Sequence, residues 1–363
     1  MGLPITRRQF ELAALATLAG TRAATAQRPM HVEDVPWLDA IQRPPGPLPA
    51  DAPRVRSVLV DSDGNRVQTL AAWKRRREGI RSAWLQFLGE WEYPRRPPEY
   101  EIIASERMPR VTRRLIRYQA ERNVPVEAYL LEPAGLNKPA PGVVVLHSTV
   151  DYTIRQGAGL EGDPTKAWGL RLAERGFVAI CPRCFLWDGT RPPNYMAQVE
   201  RHHERHPVAR GMAKMLFDGR RALDILANMD LVDPKRLCAA GHSLGAKEAL
   251  YLTAFDERVK AGVFSEGGIS VDFSNWDAPW YLGIRPPGHD HHELLALIAP
   301  RPFLVVGGDS ADGTKSWPLV ADALQVYRLY GQPARIGLYN HLQGHTVPPA
   351  VEGRIYEWLQ TYV

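Results

Sequence analysis

In Gly241-His242-Ser243-Leu244-Gly245 a serine stands with a glycine two places to either side. The apolar run Leu237–Ala240 leads directly into it, and a helical pattern opens at Leu244. A strand that turns sharply into a helix brings its two backbones close together, so only small residues fit two places before and after the turning point. The turn lifts the central side chain above the sheet, at a helix N-terminus whose unpaired N–H groups and dipole favour developing negative charge. The chemistry such a turn would serve is nucleophilic attack by the Ser243 hydroxyl. The pentapeptide alone recurs by chance; its seat between strand and helix gives it weight.

A serine hydroxyl is a weak nucleophile and needs a base, which an acid must orient. For this strand–turn–helix setting the chain order is serine, acid, histidine. Asn340-His341-Leu342-Gln343-Gly344-His345 offers two histidines. His345 lies in the loop between the last strand and the last helix and is favoured as the base. His341, closer to the strand, is expected to be structural. Three carboxylates compete as the acid. Asp312 ranks first and Asp309 third, both following the strand Phe303–Val306; Asp309 is also placed to bond its own loop backbone. Glu266, in Ser265-Glu266-Gly267-Gly268, ranks second. The oxyanion would be held by the amide of Leu244 and by one from the loop His147-Ser148-Thr149, with Ser148 and Thr149 as the candidates.

Other clusters invite other chemistry. Cys181-Pro-Arg-Cys184 has redox or zinc spacing, but Cys181 ends an apolar strand, and with Cys238 the three cysteines allow at most one disulfide. In His202-His203-Glu204-Arg205-His206 the histidines flanking the glutamate are three apart, where a zinc helix needs four, and Pro207 follows the wider pair. His289-Asp290-His291-His292 is equally dense. Loop packing or substrate contact is the preferred reading of both, and neither a metal nor a cofactor is expected.

The elements that must position these residues follow a regular pattern. Short strands at Tyr100–Ala104, Val111–Tyr118 and Val126–Leu131 come after a helix at Ala71–Leu88 that Gly89 ends. From Val143–Leu146 onward, strands (Phe177–Cys181, Leu237–Ala240, Val259–Phe264, Phe303–Val306, Arg335–Leu338) alternate with helices (Pro164–Arg175, Ala209–Met229, Leu244–Phe255, Leu294–Ile298, Gly353–Tyr362). Val143–Leu146 is apolar throughout, as suits a parallel strand covered on both faces. The pattern implies an α/β fold: a doubly wound, mostly parallel sheet with helices on both faces and the early strands as its antiparallel edge. Two stretches, about 184–208 and 269–293, break the repeat and are rich in Pro, His and aromatics. They are expected to lie over the carboxyl ends of the strands as loop insertions, with Trp187, Trp276 and Trp280 shaping a substrate site.

The chain has 363 residues, 45% hydrophobic and 23% charged, which suits one large domain with a small appendage. Thr6-Arg7-Arg8-Gln9-Phe10, the apolar run Leu12–Ala19 and Ala24-Thr25-Ala26 together match a twin-arginine signal peptide. The expected organisation is a signal peptide at 1–26, an extension with a helix and edge strands at 27–120, and a catalytic domain at 121–363, exported to the periplasm or beyond. No run approaches the ~20 apolar residues of a membrane span. Without residues 1–26 the net charge of +5 falls to about +3. The densest basic run, Lys74-Arg75-Arg76-Arg77, is interleaved with Trp73, Ile80, Trp84 and Leu85 at helical spacing. It reads as a solvated helix face and not a nucleic-acid patch. Oligomeric state leaves no signature.

From about Arg221 to Gly344 the sequence resembles the acetyl xylan esterase-like and dienelactone hydrolase-like branch of the α/β-hydrolases. The likeness rests on Gly-His-Ser-Leu-Gly-Ala-Lys (241–247), Ser265-Glu266-Gly267-Gly268, His291-His292-Glu293-Leu294 leading to Ala299-Pro300-Arg301-Pro302, Gly308-x-Ser310-Ala311-Asp312, and Gly344-His345. Trp73 and Arg75–Arg77 of the N-terminal helix fit the same group. The resemblance implies a serine carboxylesterase acting through an acyl-enzyme on acetylated or otherwise esterified carbohydrate. A second likeness is to glucuronoyl esterases: Lys247 matches the lysine that family turns to sugar hydroxyls, and Glu266 matches the acid of some members. Leu244 departs from it, since that family carries there an arginine that helps hold the oxyanion. Uronate ester hydrolysis is therefore the second choice. A serine peptidase and a non-catalytic binding protein on the same scaffold are the remaining alternatives.

Overall fold

Val143, Val144 and Val145 are almost wholly removed from solvent in the middle of a nine-stranded sheet. Their side chains alternate between two cores, Val144 and Leu146 in one and Val143 and Val145 in the other. That is the period-two consequence of covering a strand on both faces. The computed structural model describes residues 33–363, Glu90 and Pro279 excepted. The expected export signal lies outside the described residues.

The strands are β1 (Tyr100–Arg107), β2 (Val111–Glu121), β3 (Val124–Pro133), β4 (Ala140–Leu146), β5 (Val178–Pro182), β6 (Val232–His242), β7 (Val259–Ser265), β8 (Phe303–Gly307) and β9 (Ile336–Asn340). Their order across the sheet is β1-β2-β3-β5-β4-β6-β7-β8-β9. The first three are antiparallel, β3 pairs antiparallel with β5, and β5 through β9 run parallel. This is the doubly wound sheet with an antiparallel edge that the sequence pattern implies. β2 runs through residue 120, so the sheet is continuous across the expected boundary between extension and catalytic part.

The helices are α1 (Leu38–Ile41), α2 (Leu70–Leu88), α3 (Ile154–Gly157), α4 (Trp168–Ala173), α5 (Tyr195–Arg205), α6 (Gly211–Ala227), α7 (Leu244–Phe255), α8 (His292–Ile298), α9 (Trp317–Leu329) and α10 (Pro349–Tyr362). Trp73 and Trp84 of α2, with residues of α6 through α9, fill one core; α1, α4 and α10 supply the other through Leu38, Leu170 and Trp358. α2 opens on Thr69, whose hydroxyl accepts the Ala72 N–H, and closes on Gly89 at φ 72°.

Three expectations change. Pro164–Arg175 is not one helix: a 3-10 turn (Pro164–Lys166) gives way to α4 at Ala167, whose ψ of 46° is outside the helical range. There the indole N–H of buried Trp168 donates to the Thr165 carbonyl at 2.8 Å. The stretch 184–208 contains α5, capped by Asn194 on the Ala197 N–H. α9 is a helix between β8 and β9 for which no element was expected, with Pro318 in its first turn and Leu319, Val320, Ala323, Leu324, Val326 and Tyr327 buried. The stretch 269–293 is mostly irregular.

Candidate active site

β6 ends at His242 and α7 begins at Leu244, leaving Ser243 as the turning residue, at φ 60° and ψ −122°. A Cβ on Gly241 would overlap the Gly245 carbonyl, and one on Gly245 the Leu146 carbonyl at the end of β4. The spacing of the two glycines therefore follows from backbone approach. The Ser243 N–H donates to the Ser265 carbonyl at 2.8 Å, tying the turn to β7. All twelve residues of α7 are buried, so the helix behind the serine is fixed on every side.

At the far end of the chain His345 meets Glu266. The imidazole Nδ1 lies 3.1 Å from Glu266 Oε2. Glu266 follows β7, is 1% exposed, and takes φ 53°. Its carboxylate also accepts the backbone N–H groups of Ala311 at 2.8 Å, Asp312 at 3.4 Å and Gly308. Four donors converge on one buried carboxylate, which satisfies it as an anion. With Nδ1 turned to Glu266, the other ring nitrogen of His345 is left for a proton-transfer role. The His345 ring packs 4.6 Å, centroid to centroid, from that of His242, the residue before the serine. Burial, helped by the charge of Lys166, holds His242 well below the ordinary histidine range, so it stays a neutral neighbour. Its Nδ1 lies 3.0 Å from Ser265 Oγ.

Asp312, ranked first as the acid, is elsewhere. It is fully buried and accepts the N–H groups of Gly268 at 2.6 Å and Ile269 at 2.8 Å, and the Ser316 hydroxyl at 2.9 Å. The two acids thus brace the loops reciprocally: Glu266 bonds the loop after β8, and Asp312 the loop after β7. Desolvation raises Asp312 to about 6. The carboxylate that reaches His345 is Glu266, because the β7 loop points across the ends of the paired strands β7 and β8. Asp309 bonds the Thr314 N–H at 2.9 Å and the Asn340 amide at 2.8 Å, the loop-bracing role foreseen for it. His341 is structural in the same sense: its N–H joins the Gly307 carbonyl at 2.8 Å and its Nδ1 accepts the Gln343 N–H at 3.2 Å.

The two oxyanion candidates after β4 are not equivalent. The Ser148 N–H is taken by Gln156 Oε1 at 3.0 Å, and its hydroxyl donates to the His242 carbonyl at 3.3 Å. Thr149 is exposed, and its N–H and that of Leu244 have no partner among the described residues. His147 anchors this loop. Its Nδ1 bonds the Ser148 carbonyl at 2.7 Å, and its Nε2 accepts the Cys184 N–H at 3.1 Å, fixing the tautomer. Burial pushes His147 down to about 4, so it is neutral at working pH. Gln156, which decides which amide stays free, carried no sequence signal.

Lys247, one turn into α7, is 4% exposed, and its ammonium has no hydrogen-bond partner among the described residues. It sits 6.0 Å from the Tyr281 ring centroid, and burial lowers it to about 8. A buried cation without a partner is costly and marks a place where an acceptor is expected. The tryptophans are less open than expected. Trp276 is 2% exposed and lies 4.0 Å from the Tyr281 ring and 5.7 Å from that of His291. Trp280 covers Gly211 at the start of α6. Trp187 packs edge-on to His147 at 5.0 Å.

The histidine groups have protein neighbours. His206 Nε2 lies 2.6 Å from Glu121, and His202 is buried against Trp91 and Phe185. His289 meets Glu293 at 2.7 Å, His291 meets Tyr251 at 2.9 Å, and His292 meets the Arg56 carbonyl at 2.9 Å. Cys181, Cys184 and Cys238 are free and buried, and burial raises each thiol. No helix among the described residues is long and apolar enough to cross a membrane.

Residues 126–275 match the model of the dienelactone hydrolase family. No curated protein matches the chain. Among solved structures the chain is similar to a glucuronoyl esterase from Solibacter usitatus, at 17% identity over 86% of this chain and 99% of that one, with a TM-score of 0.67. A glucuronoyl esterase from Teredinibacter turnerae matches at 18% identity over 84% and 88%, with a TM-score of 0.63. A protein assigned as an acetyl xylan esterase, from Bacteroides fragilis, matches at 14% identity over 76% of each chain, also at 0.63. The fold is that of the α/β-hydrolases.

Proposed function

We propose that this chain is a serine carboxylesterase that works through an acyl-enzyme on esterified carbohydrate. The observation that carries the reading is the bond from His345 to the buried, fully satisfied Glu266 carboxylate, beside a serine held on a strand–turn–helix elbow. Ser243 Oγ attacks the ester carbonyl while His345 takes its proton, and the Glu266 carboxylate stabilises the imidazolium. The N–H groups of Leu244 and Thr149 are the free donors for the oxyanion, with Ser148 holding the loop through Gln156. His345 returns the proton to the leaving alcohol, and water repeats the sequence in reverse to release the acid.

Lys247 supports a hydroxylated substrate, since sugar hydroxyls would give its buried ammonium the acceptors it lacks. It also favours the second reading, a uronate ester, as do the glucuronoyl esterases of the same fold; the leucine at 244 counts against it. The Arg7-Arg8 segment supports export by the twin-arginine route to the periplasm or beyond, where esterified polysaccharide would be met.

Ser243→Ala should abolish hydrolysis of p-nitrophenyl acetate with an unchanged circular dichroism spectrum; retention of most activity would refute the assignment. A screen of acetylated xylan, methyl glucuronate and feruloyl esters on the native enzyme separates the two substrate readings. Preference for methyl glucuronate selects the uronate ester.

A further inference from the structure

The proposed base, His345, stands on the loop after β9 with its side chain 42% exposed. One hydrogen bond, from Nδ1 to Glu266 at 3.1 Å, holds its ring. A single bond fixes one atom of an imidazole and leaves the plane free to swing, because the last torsion of a histidine has only broad wells. Aiming the far nitrogen at Ser243 takes a second point of support. Among the described residues the ring that meets it is that of His242, 4.6 Å away between centroids and inclined by 47°.

His242 is itself firmly held. It is 3% exposed, and its Nδ1 lies 3.0 Å from the Oγ of Ser265, which has no exposed surface. Trp168 meets the same ring edge-on at 6.5 Å. The His242 carbonyl accepts the Ser148 hydroxyl at 3.3 Å, so the loop that carries Thr149 hangs from the same residue. Strand pairing explains the arrangement: parallel β6 and β7 set His242 opposite Ser265. The next residue on each chain is Ser243 and Glu266, nucleophile and acid. The last rung of the sheet thus carries a histidine and its anchor, and the step beyond it carries the reacting groups.

The supporting ring must also be neutral. Proton transfer from Ser243 makes His345 an imidazolium, and a second cation within about 5 Å would oppose it. Burial first, then the charges of Lys166 and His345, keep His242 unprotonated. We propose that His242 is a positioning residue: its ring, pinned by Ser265, is the wall that holds the His345 imidazole with its free nitrogen toward Ser243. The inference rests on the esterase reading and gives His242 no contact with substrate.

Two substitutions separate the ring from its hydrogen bond. His242→Asn keeps an amide where Nδ1 stood, within reach of Ser265, and removes the ring. His242→Phe keeps the ring and removes the bond. On p-nitrophenyl acetate, His242→Asn should lose about ten- to a hundredfold in kcat with KM within about threefold. The rate at which a fluorophosphonate labels Ser243 should fall by the same factor, since that reaction also needs the base. His242→Phe should stay within about threefold of the native chain in both measurements, because the ring remains. Circular dichroism checks each fold. Should the Ser265 hydroxyl, left without its partner, unfold the second variant, His242→Phe combined with Ser265→Ala presents the same ring without that hydroxyl. Native-like kcat in His242→Asn, equal losses in the two variants, or a loss carried by KM would each overturn the proposal. Those outcomes are read against an active native chain. A native chain that neither hydrolyses the ester nor takes the label would instead refute the esterase reading, and the proposal with it.

Discussion

Two buried acids stand on adjacent loops, and their partners assign them different work. Glu266 holds a titratable ring and three N–H groups; Asp312 holds two N–H groups and a hydroxyl. In Glu266→Gln the amide must turn its NH₂ toward a donor whichever way it is placed, either the His345 ring or the Gly308 and Asp312 N–H groups, and the negative charge that would stabilise the imidazolium is lost. We expect kcat to fall by about two to four orders of magnitude. Asp312→Asn should instead destabilise by about 2–3 kcal/mol, because a buried N–H group loses its acceptor, with kcat within about tenfold. Steady-state kinetics and urea unfolding on both variants decide it, and the reverse pattern would restore Asp312 as the acid. The places of Ser243 at the strand–helix turn and of His345 in the last loop were legible in the sequence because chain order and flanking elements define them. The acid was not. Serine, acid, histidine is the order with either carboxylate, and which one reaches the ring depends on how the loops after β7 and β8 cross, a tertiary fact without a local signature.

The elbow couples an element boundary to function through backbone strain. Ser243 takes φ 60° and ψ −122°, a region where a Cβ is disfavoured by about 1–3 kcal/mol, and the surrounding glycines and α7 hold it there. Glycine relieves that strain but adds about 0.4–1 kcal/mol of unfolded-state entropy. Ser243→Gly should therefore be inactive yet more stable than Ser243→Ala by about 1 kcal/mol. Thermal unfolding of the two variants side by side measures this; an alanine variant as stable as the glycine one would show the turn to be unstrained. α7 was readable to the residue, since its glycine boundary and apolar run coincide with its structural ends. α9 was not, because Leu319 to Tyr327 is apolar on nearly every side and follows a loop whose Gly and Asp residues drew attention to chemistry. α5 lay hidden in a stretch read as loop, its histidines taken for loop packing or substrate contact and not for a helix surface.

At the scale of the whole molecule, the sheet order was implied by alternation of strands and helices, whereas the burial of histidines at helix–loop contacts could not be. His202 shows the thermodynamic consequence. Both its ring nitrogens lack partners among the described residues, and Trp91 and Phe185 pack on it. Burial first, then the charges of Lys214, His206 and His203, lower it to about 3, with Glu121 opposing. In the unfolded chain the same ring takes up a proton as pH falls through about 6.5, while in the folded protein it stays neutral until about 3. The unfolded state therefore binds more protons across that window, and stability is lost as pH falls through it. From pH 7 to pH 4.5 this one residue should account for a loss of about 2 kcal/mol. Asp312 acts in the opposite sense: raised to about 6, it stabilises most at low pH, and that contribution fades as pH rises through about 6. It is common to native protein and variant, so it cancels when the two are compared. His202→Phe keeps the aromatic contacts and removes the titration, so its unfolding free energy, from urea midpoints at a series of pH values, should fall about 2 kcal/mol less than that of the native protein over this range. Parallel pH curves for the two would mean that His202 exchanges protons as freely in the fold as out of it.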